Sequence, residues 1–247
     1  MSRFVAFLRR RFQPNEPYGW PLTLGVAVSL LALQLFLVDL SAVKRNGALV
    51  DFDKELAVAM KEHADGHHGL LVASRLVTHV GGVPVIVALS LVGAAALWLR
   101  GHRLLAAGWV IAAAGGGALN VSTKLLVARD RPGETLGETI RDTAVTERNK
   151  SFPSGHSMGS VIGFGMLGYV AVVLLRRPGA RAAVVVGLIA LVLVIGFSRI
   201  YLRAHWFSDV LGGFAIGAFW LVLCITATEV LRLRAKSQPV AAAPAWR

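Results

Sequence analysis

The sequence predicts an all-α fold: a bundle of six transmembrane helices, with an amphipathic interfacial helical segment between the first and second spans. Three observations predict it. The 247 residues are 55% hydrophobic, with a mean hydropathy of +0.61, too apolar for an ordinary soluble domain. Six apolar runs have roughly the length needed to cross a bilayer. Between the first two runs lies a segment in which charges alternate with apolar residues at helical spacing. The net charge of +12 would suggest nucleic acid in a soluble protein. In a chain this apolar, anionic headgroups and loop topology account for it, and no nucleic-acid partner is expected. Cys224 is the single cysteine, so no internal disulfide forms.

Residues 1–18 carry Arg3, Arg9, Arg10 and Arg11 against Glu16, a basic piece suited to lying on a membrane. Residues 20–40 form the first span. The run is too long for a signal peptide and has no convincing small-residue cleavage site, so it reads as a retained anchor. Over 41–81 the acids and bases Asp51, Asp53, Lys54, Glu55, Lys61 and Glu62 alternate with Phe52, Leu56 and Met60. Those three apolar residues are four apart and share one helical face, the mark of an interfacial helix. His63, His67 and His68 cluster there and read as solvated, because no carboxylate–histidine metal motif is complete. A short second helix is expected over 70–79, before Gly81-Gly82. The remaining spans are predicted at 83–99, 104–127, 154–175, 182–197 and 207–231. Gly115-Gly116-Gly117 and the series Gly155, Gly159, Gly163 offer close helix contact, within the chain or with a second copy; a monomer is the default. Residues 129–153 read as a polar loop and 233–247 as a disordered tail. The whole chain reads as one domain with its core at 104–232.

Six spans place both termini on one side. The segments on that side hold thirteen of the 26 bases but only Glu16 and Glu229 of the 14 acids. Excess base marks the cytoplasmic side, so both termini are expected there, in a multi-pass protein of the cytoplasmic membrane. The same topology brings Lys124, Arg131, His156, Arg199, His205 and Asp209 to the opposite face.

Those residues belong to three polar stretches. In the first, Lys124 sits near the end of an apolar helix, where a charge is costly. Arg131-Pro132 follows seven residues later, on the same face if the helix continues. In the second, Pro153-Ser154-Gly155-His156 opens the fourth span. Its serine can cap, and its first-turn amides can hold an anion. In the third, Ser198-Arg199 precedes His205, and Asp209 lies four residues further on. A carboxylate that accepts from one imidazole nitrogen leaves the other as a nucleophile. Lys124, Arg131 and Arg199 supply fixed cations for phosphate oxygens, and His156 could protonate a leaving oxygen. No acidic metal cluster and no phosphate-cradling Gly-Lys loop is present, so no metal and no cofactor are expected.

Together the three stretches resemble the signature of the type 2 phosphatidic acid phosphatase and vanadium haloperoxidase superfamily: Lys, six residues, Arg-Pro; Pro-Ser-Gly-His; Ser-Arg, five residues, His, three residues, Asp. Every position is matched, by Lys124, Arg131-Pro132, Pro153 to His156, Ser198-Arg199, His205 and Asp209. The resemblance implies a membrane lipid phosphatase. His205 would form a phosphohistidine, Asp209 would orient it, and His156 would serve as general acid. Lys124, Arg131 and Arg199 would bind phosphate, helped by Ser154 and the Gly155 backbone. Arg129, Arg203 and Asp130 fall outside the signature and read as loop charges or headgroup contacts. The implied substrates are membrane lipid phosphates: undecaprenyl pyrophosphate or phosphatidylglycerophosphate first, then phosphatidate. A vanadate-dependent haloperoxidase is the alternative enzyme. A lipid-binding or transport protein is the alternative without chemistry.

Overall fold

A computed structural model describes residues 19–135 and 150–237, and the described residues are helical with no strand. The basic segment 1–18, most of the loop before Lys150 and the tail from 238 lie outside the described residues. Among the described residues nine helices follow in order: α1 (Trp20–Arg45), α2 (Ala48–Gly66), α3 (His68–Val80), α4 (Val83–Leu99), α5 (Arg103–Val127), α6 (Pro132–Thr135), α7 (Gly155–Leu174), α8 (Pro178–Tyr201) and α9 (Phe207–Ser237).

Five of them, α1, α5, α7, α8 and α9, are each long and apolar enough to cross a bilayer. The sixth expected span is α4, whose 17 residues make a rod of about 26 Å, slightly short of the hydrocarbon thickness. It reaches spanning length only together with α3, across a 40° bend at Gly81-Gly82. The outward faces are those of a protein in lipid. Leu125 is 76% exposed, Leu126 79% and Leu99 85%, exposure that would be costly in water. The chain is a multi-pass membrane protein.

The bundle is built around α9. Helix α1 runs antiparallel to it, with Gly25 beside Thr226 and Asp39 beside Gly212. Helix α5 is also antiparallel, and Gly115 admits the Trp220 ring. Helix α8 crosses it with Gly196 against Phe214. Helix α7 runs parallel, backbone against backbone at Gly213 and Gly217. A Cβ on Gly213 would lie 2.7 Å from the Ser154 carbonyl oxygen and 2.9 Å from the Ser157 Cβ. The start of α7 is therefore seated directly on the α9 backbone. Gly213→Ala is expected to lower stability by about 1–3 kcal/mol, because backbone atoms must move to admit the methyl. Thermal unfolding in detergent checks this against a substitution at the open position Gly117. The series Gly155, Gly159 and Gly163 faces neighbours inside the chain, Asn120 of α5 and Ile86 of α4.

Several span ends and one helix face differ from the sequence reading: α1 runs on to Arg45, and α8 covers Pro178–Tyr201 where 182–197 was expected. Helix α9 continues through Ser237, so 233–237 is helical rather than tail. Hydropathy marks where apolar residues stop, while Leu, Arg, Ala and Lys keep a helix going past that point. In α2, the face turned to the protein holds Val50, Asp53, Ala57 and Ala64, not the apolar line. Phe52 is 45% exposed and the rest of that line is half-buried, placing it toward the membrane surface. Phe52 also meets Phe207 edge to face, with centroids 5.5 Å apart.

Candidate active site

These directions bring the C-terminal ends of α1, α5 and α8 and the N-terminal ends of α7 and α9 to one end of the bundle. All eight residues singled out by the sequence lie there. Each is placed by a local break in helix.

Lys124 is in the last turn of α5. The helix stops at Val127 because Ala128 turns left-handed, φ 51°, and its N–H returns to the Lys124 carbonyl. Arg131 therefore does not share a helical face with Lys124, as seven-residue spacing on a continuous helix would require. The stretch 129–131, outside any helix, instead pairs across the site. Ser151 N–H donates to the Arg129 carbonyl at 2.7 Å, and Ser151 Oγ donates to the Asp130 carbonyl at 2.9 Å. Trp206 Nε1 donates to that same Asp130 carbonyl at 2.9 Å. Arg131 is consequently buried, its Nη1 donating to the Ala204 carbonyl at 2.7 Å and lying 3.5 Å from His205 Nε2. Lys124 Nζ donates to the Lys150 carbonyl at 2.5 Å.

Ser154 is the N-cap of α7, as its position ahead of the apolar run predicts. It is fully buried. Its Oγ accepts from Ser157 N–H at 3.3 Å and bonds Ser157 Oγ at 3.0 Å, and its own N–H donates to the Asp209 carbonyl at 2.9 Å. Its hydroxyl oxygen holds the turn by accepting both bonds. The first-turn amides of Gly155 and His156 have no carbonyl one turn before them and form the anion-facing end of the helix. The His156 ring stands beside Gly82, and Arg199, His205, Arg131 and Lys124 are the charged or titratable groups acting on it.

Arg199 lies in the last turn of α8, buried, with Nη1 donating to Thr78 Oγ1 of α3 at 2.7 Å. Arg203 takes a left-handed φ of 52°, and the tight turn sends both Ala204 N–H and His205 N–H back to the Arg199 carbonyl at 3.0 and 3.2 Å. The phosphate-binding candidate and the histidine are therefore fixed to each other through backbone. His205 precedes α9 rather than lying on it. Its Nδ1 is 3.4 Å from Asp209 Oδ2 and makes no formed hydrogen bond. Such catalytic contacts commonly tighten only with substrate in place. Burial, then the charges of Arg131, Arg199 and Lys124, hold the His205 imidazole well below its ordinary value. At neutral pH the ring is neutral and carries a lone pair.

Asp209 is at the third position of α9, and its Oδ2 accepts the Trp206 N–H at 2.9 Å, half of a capping box. Its Oδ1 accepts from Arg129 Nη1 at 2.9 Å. Arg129 corrects the sequence reading: it is no loop charge. It spans Asp209 and Asp53, with Nη2 2.7 Å from Asp53 Oδ2, and stacks over Trp206 at 5.3 Å. Asp53 in turn accepts Ser208 N–H at 3.0 Å and bonds Ser208 Oγ at 2.5 Å, capping α9 from another helix. No motif marks Asp53. Its only signal in the sequence is an acid beside the apolar line of α2, three residues before Leu56 and seven before Met60. Asp130 keeps the expected surface role, paired with Lys150 at 2.8 Å. Among the described residues no group of three His, Cys, Asp or Glu is placed to hold a metal. His63 and His67 stack on each other, and His63 Nδ1 meets the Tyr201 hydroxyl at 3.0 Å.

Known proteins resemble the chain in family and in fold. The family model described as PAP2 superfamily matches residues 103–232. Phosphatidylglycerophosphatase B of Bacillus subtilis (strain 168) is 39% identical over 83 residues, which are 32% of this chain. The chain spans only 40% of that relative's length. The crystal structure of a transmembrane PAP2-type phosphatidylglycerolphosphate phosphatase from Bacillus subtilis superposes with a TM-score of 0.68 at 22% identity. It covers 86% of this chain and 98% of that one.

Proposed function

The chain belongs to the PAP2 superfamily, and on that footing we propose that it is an integral membrane lipid phosphatase acting through a phosphohistidine. One observation carries the reading. A neutral, buried imidazole points Nε2 at the Arg131 guanidinium, 3.5 Å away, with Arg199, Lys124 and His156 converging on the same space. A gap between a nucleophile and a set of fixed cations is what phosphoryl transfer needs, since positioning and charge stabilisation supply most of its catalysis.

In the proposed reaction His205 Nε2 attacks phosphorus. The N–P bond forms as the P–O bond to the lipid breaks, and the departing oxygen takes a proton from His156. Water then attacks phosphorus, the N–P bond breaks, and His156 recovers its proton from that water. Asp209 holds the Nδ1–H tautomer throughout. Lys124, Arg131, Arg199, the Ser154 hydroxyl and the Gly155 amide carry the charge on the phosphoryl oxygens, and Ser154 also caps the turn that presents that amide. Three cations serve where other phosphatases use metal ions, so the reaction is proposed to be metal-independent. The site is proposed to face the extracytoplasmic side. The basic connections 100–103 and 176–181 lie at the other end of the bundle, as the distribution of positive charge expects.

Substrate tails would stay in the bilayer while the phosphate reaches the site. Phosphatidylglycerophosphate and undecaprenyl pyrophosphate are the first substrates proposed, with phosphatidate next. The test is phosphate release by the purified protein from that panel in EDTA. Release in EDTA is expected, and the ranking of rates identifies the substrate. Activity restored only by added divalent metal would overturn metal independence. Bromide oxidation by a vanadate-loaded sample would support the haloperoxidase alternative. Tight lipid binding with no turnover on any ester would support a transport role.

A further inference from the structure

We propose that Asp53, on interfacial helix α2, is a positioning residue for this chemistry, holding the Asp209 carboxylate through Arg129. The inference rests on His205 being the attacking nitrogen. The three side chains form one continuous relay. Arg129 Nη1 bonds Asp209 Oδ1 at 2.9 Å and Ser208 Oγ at 2.7 Å, while Nη2 bonds Asp53 Oδ2 at 2.7 Å. Asp53 Oδ1 is taken by the Ser208 N–H and Asp209 Oδ2 by the Trp206 N–H. Both carboxylates are fully buried and Arg129 is nearly so.

Charge explains why the second carboxylate matters. Arg129 alone beside Asp209 would cancel the negative charge that must face His205. With Asp53 on the other arm of the fork, the relay as a whole is singly negative. That residual charge is what a histidine needs when it becomes cationic on taking up phosphorus. The fork also fixes direction. Guanidinium bonds to two carboxylates are planar and directional, so Asp209 is held with Oδ2 toward the ring. As a mere anchor for α2 the arrangement would be expensive, because three charges are removed from water. The hydrogen bond at every carboxylate oxygen and the attachment to Asp209 point to the chemistry instead.

Asp53→Asn keeps the shape and removes the charge. The expected result is a kcat lower by about 10–100-fold, the usual cost of removing a group that orients a reacting one. KM and the inhibition constant for inorganic phosphate stay within about twofold, because Lys124, Arg131 and Arg199 are untouched. If Asp53 acts through Arg129, the Asp53→Asn/Arg129→Gln double variant is no slower than Arg129→Gln alone. Multiplying losses in the double variant, or wild-type kcat in Asp53→Asn, overturns the proposal. Should Asp53→Asn fail to fold, Ser208→Ala removes the hydroxyl shared by Asp53 and Arg129 while keeping both charges. A several-fold fall in kcat at constant phosphate inhibition supports the relay, and wild-type kcat overturns it. His205→Ala is run beside these. If it is dead while Asp53→Asn is unimpaired, the relay fails and the phosphohistidine reading stands. If His205→Ala remains active, that reading fails first.

Discussion

His205→Ala is expected to lower kcat on any lipid phosphate by at least about 10⁴-fold, with little change in the melting temperature. The size follows from the role. Removing a covalent nucleophile deletes the reaction path instead of weakening one interaction along it, leaving only the rate that bound cations can give to water. The small effect on stability follows from the environment. The ring is neutral when folded, and its Nδ1 makes no formed hydrogen bond, so alanine strands no buried charge. Asp209 keeps both partners, Arg129 and the Trp206 N–H. Rapid acid-free quenching with radiolabelled substrate supplies a second readout. Wild type should carry a phosphoryl label stable to alkali and labile to acid, the behaviour of an N–P bond, and His205→Ala should carry none. A variant that keeps more than about a tenth of wild-type turnover would remove histidine from the mechanism, whatever the substrate.

How far such roles can be read from sequence depends on the kind of signal. The spans were legible because hydropathy over twenty residues is a large summed quantity. Local propensity then moved only their ends, as at Arg45 and Ser237. The polar stretches were legible because charged and hydrogen-bonding residues are costly in an apolar chain and stand out against it. What spacing could not reveal was the backbone between them. Seven-residue spacing suggested one helical face for Lys124 and Arg131. Ala128 turns left-handed instead, with no glycine or proline to announce it, because the 129–131 backbone must pair with Ser151 and Trp206. The relay was hidden for another reason. Asp53 and Arg129 are distant in sequence, and each looks solvated in its own segment: one on a charged interfacial helix, the other in a loop. Only the packing of α2 against the start of α9 brings them together.

His156 offers the second large effect, and one that depends on the substrate. As proposed general acid it neutralises the oxygen that leaves phosphorus. Its removal should cost about 10²–10⁴-fold when that oxygen departs as an alkoxide, because positioned proton transfer contributes about that much. Phosphatidylglycerophosphate and phosphatidate leave alkoxides. A lipid diphosphate leaves a phosphate monoester, an already stable anion, and a nitrophenyl phosphate leaves a stable phenolate. His156→Ala should therefore be severely impaired on the monoester lipids and far less so on undecaprenyl pyrophosphate or p-nitrophenyl phosphate. The ratio of the two losses measures the proton transfer itself, since any general disturbance of the site lowers both rates alike. The variant should also keep the affinity for inorganic phosphate, because Arg199 is held by Thr78 and Arg131 by the Ala204 carbonyl, neither through His156. Equal losses across leaving groups would make His156 a phosphate-binding side chain. Its proton would then come from elsewhere, and the proposed reaction would need a different acid.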